Sequence, residues 1–316
     1  MPLVSVLVPV YCNAASLPLL HHRLGAVARS QPDCTFEFIF VDDGSFDNSY
    51  KVLLEMAAQD KRVRVIKLSR NFGSSTALMA GLAHAQGDCV AMIAADLQDP
   101  PELIGDMLGH WRSGVPVVLA ARRRRADPLP TRIPAAIFNT LFRRLVFQDF
   151  PKDGFDCALI DRRVVNVLVS CAEKNAYVFG LIVWVGFKRQ VIYYDRLERQ
   201  HGRSMWTVTK KLKHFADAFV SFSYLPLRAA STLGFLLATV GGLYALVVVL
   251  ARILAAVPVQ GWSSLMIILL LTSGVQLVML GVIGEYVWRG LDQARQRPLY
   301  VVEEIVGQPE QDGIEG

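Results

Sequence analysis

Two groups of carboxylate side chains carry most of the chemistry that this 316-residue sequence offers. Asp42 and Asp43 stand in a VDDGS segment at the end of one apolar run, and Asp96 stands in an ADLQDPPE segment at the end of another. A short apolar run that opens into a polar loop is typical of a buried strand. In open α/β sheets, ligands bind at the carboxyl ends of the strands. The two groups are therefore predicted to share one binding edge.

The oxygen donors in these segments favour a hard divalent cation. Asp96 is followed closely by Gln98, and carboxylate and amide oxygens suit Mg²⁺ or Mn²⁺ rather than zinc. An ion at this position would hold a nucleotide diphosphate. The alternative is that the aspartates only cap helices, which is an ordinary role for Asp before a helix. We prefer that alternative for Asp47, and the ligand-binding interpretation for Asp42, Asp43 and Asp96.

Short β-rich runs alternate with segments of helical spacing in the first part of the chain. Strands are predicted at residues 4–8, 36–41, 63–68, 89–94 and 117–121, and helices at residues 17–28, 50–58, 76–85 and 101–111. This alternation predicts an α/β fold with a mainly parallel sheet and helices on both faces. Residues 131–187 are less regular, with helices predicted at residues 132–147 and 163–172.

Two long uncharged runs lie near the C-terminal end. Residues 229–250 and 265–283 contain no Asp, Glu, Lys or Arg, and each is close to the ~20 residues that cross a bilayer as a helix. Core helices of a soluble domain are the alternative, which two such runs joined by a short link disfavour. Aromatic and lysine side chains within residues 206–228 predict an amphipathic helix in the membrane interface.

The distribution of charge predicts the orientation in the membrane. Basic residues precede the first run and follow the second, and the link between the runs has only Arg252 at its edge. The positive-inside tendency then puts both termini in the cytoplasm. No signal peptide is predicted, because the start of the chain lacks a basic flank and has the pattern of a strand.

Two other classes of protein are disfavoured. The arginine run at residues 122–125 could attract nucleic acid, but no nucleic-acid motif accompanies it, and an anionic lipid substrate accounts for it better. The five cysteines are scattered, odd in number and without a Cys-x-x-Cys pair. They predict reduced thiols rather than a disulfide framework or a zinc site.

A series of short segments resembles the family 2 glycosyltransferases of the polyprenyl-phosphate type. This group includes dolichol-phosphate mannose synthase and bacterial undecaprenyl-phosphate glucosyltransferases. The matching segments are PVY (9–11), VDDGS (41–45), SRNFG (69–73), AGL (80–82), GD (87–88), ADLQDPPE (95–102), LIDR (159–162), WVGF (184–187), SFS (221–223) and PLR (226–228). The ADLQDPPE run is specific, whereas PVY and DDGS alone would indicate only a broad glycosyltransferase family.

The resemblance implies a fold and an activity. The implied domains are a GT-A catalytic domain (1–205), an interfacial helix (206–228), a two-helix transmembrane hairpin (229–288) and a cytoplasmic tail (289–316). The implied reaction is inverting transfer of one sugar from a nucleotide-sugar to polyprenyl (undecaprenyl) phosphate on the cytoplasmic face of the inner membrane. Glucose or a relative on UDP is expected by analogy only. The implied cofactor is Mg²⁺ or Mn²⁺. The implied partners are the two substrates and the membrane, with a homo-oligomer left open and nucleic acid excluded.

The resemblance also implies site residues. Asp96 and Gln98 match the metal positions, Asp96 and Asp156 are the expected catalytic residues, and Arg122 and Arg132 are expected at the acceptor phosphate. The donor nucleotide is expected at Pro9, Tyr11, Asp42, Asp43, Gly44, Asn71, Gly73, Arg199 and Ser204, of which the last two belong to a loop that would close over the diphosphate. A lipid phosphate is already anionic at neutral pH. Asp156 is therefore expected to orient the acceptor rather than to act as an obligate base.

Departures from the family pattern leave two alternatives open. Ala94 stands where many relatives have the first carboxylate of an Asp-x-Asp pair, and Asp156 has unusual neighbours in FDCAL (155–159). These departures would fit a catalytically weak nucleotide-sugar-binding membrane protein. A processive polysaccharide synthase is the other alternative, which the small number of predicted spans disfavours.

Overall fold

A computed structural model of the chain describes residues 1–123, 140, 143, 151, 154–171, 177–196, 225–254 and 261–307. The chain divides between two compact units. The first unit is built from residues 1–221 and 298–316, and the second from residues 222–297.

An eight-stranded sheet forms the centre of the first unit. Its strands are β1 (Leu3–Val10), β2 (Thr35–Asp42), β3 (Val63–Leu68), β4 (Cys89–Met92), β5 (Val117–Arg122), β6 (Phe155–Asp161), β7 (Arg189–Tyr194) and β8 (Val302–Val306). They lie in the order β7-β5-β6-β4-β1-β2-β3-β8. β1 pairs in parallel with β2 and β4, β2 with β3, and β5 with β7. β6 runs antiparallel between β4 and β5, and β8 runs antiparallel to β3. The carboxyl ends of β1 to β5 and β7 consequently share one edge.

Six described helices belong to this unit. They are α1 (Leu17–Ser30), α2 (Ser49–Gln59), α3 (Ser74–His84), α4 (Leu103–Arg112), α5 (Arg162–Cys171) and α6 (Val178–Trp184). α1 shows why they form: proline occupies its first turn, where no intrahelical N–H is needed. It buries Leu17, Leu20, Leu24 and Val27, which share one face.

The core explains why the central strands are continuously apolar. β1 and β2 have neighbours on both sides and helices on their faces, so both faces are buried. Val6, Leu7, Phe38 and Phe40 are all fully buried. Burying a side chain of this size contributes about 1.5–3 kcal/mol, and the strands therefore hold the loops at their ends on a rigid base.

The structure confirms the elements predicted over residues 4–121, with ends shifted by a residue or two. The helix predicted at residues 163–172 is α5. β6, α6 and β7 were not predicted. β6 has only a four-residue apolar run between Asp156 and Asp161, too short to distinguish from a loop. The helix predicted at residues 132–147 lies almost wholly outside the described residues.

Some segments of the family resemblance lie at the opposite end of the sheet. Asp88 accepts a hydrogen bond from the Leu3 N–H at 2.8 Å, and the Arg162 guanidinium donates to the Gly87 carbonyl at 2.8 Å. These contacts tie the start of β4 to β1 and to the end of β6. The GD and LIDR segments therefore hold the sheet together at its amino edge.

The C-terminal segment differs from the tail predicted over residues 289–316. Its residues 302–306 form β8, which adds to the free edge of β3. Glu303 pairs with Lys67 at 2.9 Å, and Glu304 accepts a hydrogen bond from the Tyr50 hydroxyl at 2.6 Å. This strand was not predicted because its two adjacent glutamates are both exposed and interrupt the apolar–polar alternation that marks a strand with one buried face.

The second unit consists of two long helices, α7 (Leu225–Leu254) and α8 (Trp262–Ala294). Within the described residues, one stretch is long and apolar enough to cross a membrane, Leu271–Ala294 in α8, with a mean hydropathy of 1.3. The apolar stretch of α7, Ala230–Tyr244, is shorter. The structure therefore gives one candidate span where two were predicted.

The boundaries predicted around the helices also change. α8 continues past the predicted end of the hairpin at residue 288. Of the predicted interfacial helix, residues 206–224 lie outside the described part of the chain, and residues 225–228 open α7. The two helices contact each other where a Cβ atom on Gly234 would lie 3.3 Å from the Met279 Cε.

Removing β8 is expected to destabilise the first unit. A chain that ends at Pro298 exposes the hydrogen-bonding groups of the β3 edge and removes the partners of Lys67 and Tyr50. We expect a loss of roughly 2 kcal/mol, seen as a melting temperature several degrees lower in detergent. A chain that ends at Gly307 keeps β8 and is the control, expected to melt as the full chain does. Equal melting of the two truncated chains would contradict a structural role for β8.

Candidate functional site

The carboxyl edge of the sheet brings together the predicted site residues that the structure describes. They follow or end five strands: Pro9 and Tyr11 at β1, Asp42, Asp43 and Gly44 at β2, Asn71 and Gly73 at β3, Asp96 and Gln98 at β4, and Arg122 at β5. Asp156 joins them from the start of the antiparallel β6. The predicted Arg132, Arg199 and Ser204 lie outside the described residues.

Asp43 joins the loop after β2 to the loop after β3. Its two carboxylate oxygens accept the backbone N–H groups of Phe72 at 2.7 Å and Gly73 at 2.9 Å. Burial raises the pKa of Asp43 to about 6, against the opposing effect of these two bonds. Asp43 thus organises the SRNFG loop, and its carboxylate is already occupied by backbone donors.

Gly44 lets the same two loops pack directly on each other. Its φ is +68°, a conformation that favours glycine, and an added Cβ atom would lie 2.6 Å from the backbone of Arg70 and Asn71. The SRNFG loop is also held at its start, since the Ser69 N–H donates to the carbonyl of Val301, the residue before β8, at 3.0 Å. The loops after β2 and β3 are therefore connected to each other and to the segment before β8.

The loop after β1 is tied to the loop after β2. The Cys12 N–H donates to the Ser45 hydroxyl at 3.0 Å, and the Asn13 N–H donates to the Ser49 hydroxyl at 2.8 Å. Cys12 has a φ of +56°, which is uncommon for a residue with a Cβ atom. This strained residue turns the chain after Tyr11 back toward β2.

An aromatic corner lies on these two loops. The rings of Tyr11 and Phe46 meet edge to face, with centroids 6.0 Å apart and planes at 80°. Phe46 is 77% exposed, which is unusual for so large an apolar side chain. Two perpendicular rings of this kind offer a stacking surface to a planar base. The sequence analysis missed Phe46, although an aromatic residue directly after DDGS was a visible signal.

Asp42 is fully buried at the end of β2. Its Oδ2 accepts the Ser45 N–H at 3.4 Å, whereas its Oδ1 has no hydrogen-bond partner in the described part of the chain. Burial raises the pKa of this carboxyl above its ordinary value. A buried carboxylate oxygen without a donor is costly, and a ligand hydroxyl such as that of ribose is a donor of the right kind.

The two predicted metal ligands, Asp96 and Gln98, lie on a tight turn after β4. The Asp96 Oδ1 accepts the Gln98 N–H at 3.2 Å, and the intervening Leu97 has a φ of +59° and a buried side chain. The Ser16 hydroxyl donates to the Ala95 carbonyl at 2.7 Å and anchors the turn to the start of α1. The turn therefore has a defined shape before any ligand binds.

The donor set of this turn fits a divalent cation that arrives with phosphate. Among the residues that the structure describes, no three His, Cys, Asp or Glu side chains are grouped closely enough to hold a metal ion by themselves. Mg²⁺ is usually bound by one or two carboxylates while substrate phosphates and water supply the remaining oxygens. One carboxylate from Asp96 and one amide oxygen from Gln98 match that pattern, and the Ala94 departure leaves it intact.

Two predicted residues from β5 and β6 form an ion pair. Arg122 is 8% exposed and its guanidinium pairs with the Asp156 carboxylate, which is half-exposed. Neighbouring strands lie about 5 Å apart, so the ends of β4, β6 and β5 place this pair near the Asp96 turn. Sequence reasoning missed Asp99, which is fully buried and accepts a hydrogen bond from the Tyr194 hydroxyl at 2.5 Å.

Asp47 accepts the N–H of Ser49, the first residue of α2, at 3.0 Å, and the N-cap residue of that helix is Asn48. All five cysteines are free.

A parallel sheet with one antiparallel strand inserted next to β4, and acidic loops at its carboxyl edge, is the arrangement of a GT-A-type glycosyltransferase. Residues 5–169 match the model of glycosyl transferase family 2, and the chain belongs to that family.

Its relatives extend over almost the whole chain. The uncharacterized glycosyltransferase YkcC of Bacillus subtilis (strain 168) is 41% identical over 304 residues, which cover 96% of this chain and 94% of YkcC. The bactoprenol glucosyl transferase of Shigella phage SfV is 32% identical over 300 residues, covering 95% and 97%. The likeness therefore includes both units and not only the catalytic sheet.

Solved structures resemble the chain more distantly. Glucosyl-3-phosphoglycerate synthase from Mycobacterium tuberculosis, in complex with Mn²⁺, UDP and phosphoglyceric acid, aligns with a TM-score of 0.48 and 16% identity, covering 68% of this chain and 75% of that chain. A similarity of this size carries no inference about the ligands of this chain.

The pKa of Asp43 predicts a pH dependence of stability. An exposed aspartate has a pKa of about 3.9, whereas folded Asp43 has a pKa of about 6. Between these values the folded chain holds a proton that the unfolded chain has lost, so the free energy of unfolding should fall as the pH rises through this interval, by up to roughly 3 kcal/mol. Above the folded pKa this contribution is lost completely.

Asp43→Asn should remove this part of the pH dependence. Thermal melts of the full chain in detergent from pH 4 to pH 7 measure it, with Asp47→Asn as the control, because Asp47 is an exposed carboxylate only four residues further along the chain. Parallel pH profiles for wild type and Asp43→Asn would contradict the assignment.

Proposed function

We propose that this chain transfers one sugar, glucose or a relative, from UDP-sugar to polyprenyl (undecaprenyl) phosphate on the cytoplasmic face of the inner membrane. The observation that carries the proposal is the buried Arg122 paired with Asp156 at the same sheet edge as the donor-side loops. This arrangement would set an anion site beside a nucleotide site, as the transfer of a sugar to a phosphate requires.

The donor would lie across the ends of β1 to β4. Tyr11 and Phe46 would contact the base, and Asp42 would accept a ribose hydroxyl. Asp96 and Gln98 would hold a Mg²⁺ or Mn²⁺ ion, which supplies positive charge to the leaving diphosphate when it is bound. Gly73 and Asn71 would form the wall of this site, on the loop that Asp43 holds in place.

The acceptor phosphate would meet Arg122, and Arg132 is proposed as its second partner. A guanidinium fork matches two phosphate oxygens. An acceptor oxygen forms the new bond to the anomeric carbon from the face opposite the leaving group, while the bond from that carbon to the diphosphate breaks. The configuration is thereby inverted. Asp156 would orient Arg122 and the acceptor, since a lipid phosphate with a second pKa near 6 is largely dianionic at neutral pH.

Three observations support a lipid acceptor. The relatives at about a third identity are named bactoprenol glucosyl transferases. Large apolar side chains on both long helices are exposed, for example Phe235 and Leu277, which is unusual in water and expected in lipid. The family resemblance also includes the segments that lead into α7.

The division of the chain into units supports two crossings. The residues before α7 and after α8 belong to the same compact unit. A compact unit lies on one side of a membrane. The two helices that leave and re-enter it must therefore cross the membrane either twice or not at all. α7 is 30 residues long, about 45 Å at 1.5 Å per residue, which is sufficient for a span. We therefore retain the predicted hairpin as a proposal.

Sugar transfer tests the function directly. Purified chain, UDP-glucose and undecaprenyl phosphate with Mn²⁺ should yield a single-sugar lipid, and EDTA should abolish its formation. Asp96→Ala should lower turnover about a hundredfold or more, because the diphosphate loses its charge partner. Asp106→Ala is the control, since Asp106 is an exposed carboxylate on α4.

The outcomes separate the alternatives. Binding of UDP without transfer, across a panel of sugar nucleotides, would favour the nucleotide-sugar-binding protein. A polymeric product would favour the processive synthase. Wild-type turnover by Asp96→Ala would refute the metal assignment and leave the transfer reaction standing.

Cysteine labelling tests the topology. In a cysteine-free background of intact cells, an impermeant thiol reagent should label a cysteine at Gln260 and fail to label cysteines at Ser113 and Gly313. Ser113 and Gly313 both belong to the first unit, and along the chain Ser113 precedes the two long helices and Gly313 follows them. Labelling of Gly313 but not Ser113 would mean a single crossing and would refute the hairpin.

A further inference from the structure

A buried cluster of charged and phenolic side chains adjoins the Arg122–Asp156 pair. Asp99 is at its centre, with 0% of its surface exposed. The Asp99 Oδ1 accepts the Tyr194 hydroxyl at 2.5 Å and lies 3.7 Å from the Arg196 Nε. Arg122 also acts on the Asp99 charge, and it is paired with Tyr194 across the ladder of β5 and β7. The cluster therefore joins the loop after β4 to the ends of β5 and β7.

The cluster is incompletely paired. Among the described residues, the Asp99 Oδ2, the Arg122 Nε and the Arg196 Nε are buried without a hydrogen-bond partner. Buried polar atoms in proteins are nearly always paired, and each exception needs an explanation. Three exceptions within one cluster are costly, and an apolar replacement of such a group is often neutral or stabilising. A purely structural role does not explain why charged side chains occupy these positions.

Preorganisation of the arginines explains the arrangement. Arginine side chains lose considerable freedom when they are ordered around a ligand, and this loss weakens binding unless it has occurred beforehand. A buried carboxylate between two guanidiniums orders both before a phosphate group arrives. The cluster lies at the carboxyl edge, where the reactants are proposed to meet, and it reaches solvent through the half-exposed Asp156 and the partly exposed Arg196.

The position of Asp99 in the chain links the two substrates. It follows Gln98 directly and lies three residues after Asp96, on the turn proposed to hold the metal and the donor diphosphate. Leu97 in the same turn has a φ of +59° and a buried side chain. One short, conformationally defined segment thus reaches the donor side through Asp96 and the arginines through Asp99.

We propose that Asp99 is a positioning residue for an arginine pair, Arg122 and Arg196, that receives a phosphate group of the reactants. Arg196 is thereby assigned as an additional phosphate-binding residue, outside the set inferred from the sequence. The inference rests on the proposed function. The phosphate belongs to either the lipid acceptor or the donor diphosphate, and the pairing of Arg122 with Asp156 favours the acceptor.

Kinetics of three variants test the proposal. Asp99→Asn keeps the shape and an acceptor oxygen for Tyr194 but removes the charge, and Arg196→Gln removes the proposed phosphate contact. Each should lower kcat/KM for polyprenyl phosphate about tenfold or more. The double variant should lose less than the product of the two single losses, because Asp99 acts in part through Arg196. The kinetics are measured well below the melting temperature of every variant, so that a loss of stability cannot account for the lower kcat/KM.

Binding measurements identify the phosphate. Farnesyl phosphate and UDP with Mn²⁺ are titrated separately into each variant. Weaker binding of farnesyl phosphate alone, the expected result, assigns the arginine pair to the acceptor, and weaker binding of UDP alone assigns it to the donor. Asp161→Asn is the matched control, since Asp161 is a hydrogen-bonded carboxylate at the other end of β6 that accepts the Trp111 Nε1–H at 3.0 Å.

Three results would overturn the inference. Asp99→Asn could melt earlier with unchanged kcat/KM at low temperature, which is the behaviour of a structural residue. The losses in the double variant could multiply, in which case Asp99 does not act through Arg196. The third result is that the variants bind both farnesyl phosphate and UDP as tightly as the wild-type chain does. Failure of the proposed function is distinguishable, because the wild-type chain would then yield no single-sugar lipid.

Discussion

The parallel pairing of β1 with both β2 and β4 is the constraint on which the rest of the site depends. Parallel strands deliver their carboxyl ends to one edge, so segments more than fifty residues apart in sequence, such as VDDGS and ADLQDPPE, become neighbours there. The antiparallel β6 then enters beside β4 in the reverse direction. Its first residues, including Asp156, consequently lie at the same edge as the ends of the parallel strands.

This edge contains acidic groups that burial disfavours. Asp42, Asp43 and Asp99 are all buried there, and in each case burial is the largest effect and raises the pKa. Asp43 is compensated by two backbone N–H bonds, whereas Asp42 and Asp99 each keep one unpaired oxygen. The cost is therefore concentrated in groups near the proposed ligands. A ligand that binds only the folded state would recover part of it.

The sequence predicted the parts of this arrangement that depend on local pattern. β1 to β5 appear as apolar runs with acidic residues at their ends, and those residues reach the edge as expected. Their individual roles were not predictable, since the role of Asp43 depends on the backbone of Phe72 and Gly73 in another loop. The same reason applies to Asp99, whose partners Tyr194 and Arg196 stand at the end of β7 and just after it, almost a hundred residues later.

β8 was not predicted from the sequence for a related reason, and its pairing with β3 determines where the chain goes after α8. Its contacts span extreme distances in sequence, 236 residues for Lys67 and Glu303, and no local pattern marks such a pairing. Because β8 follows α8 directly, the chain that leaves the first unit before α7 must return to it after α8. The segment just before β8 also binds the Ser69 N–H at the start of the SRNFG loop. The loop that Asp43 holds through the Phe72 and Gly73 N–H groups is therefore also held at its start by the residue that precedes β8.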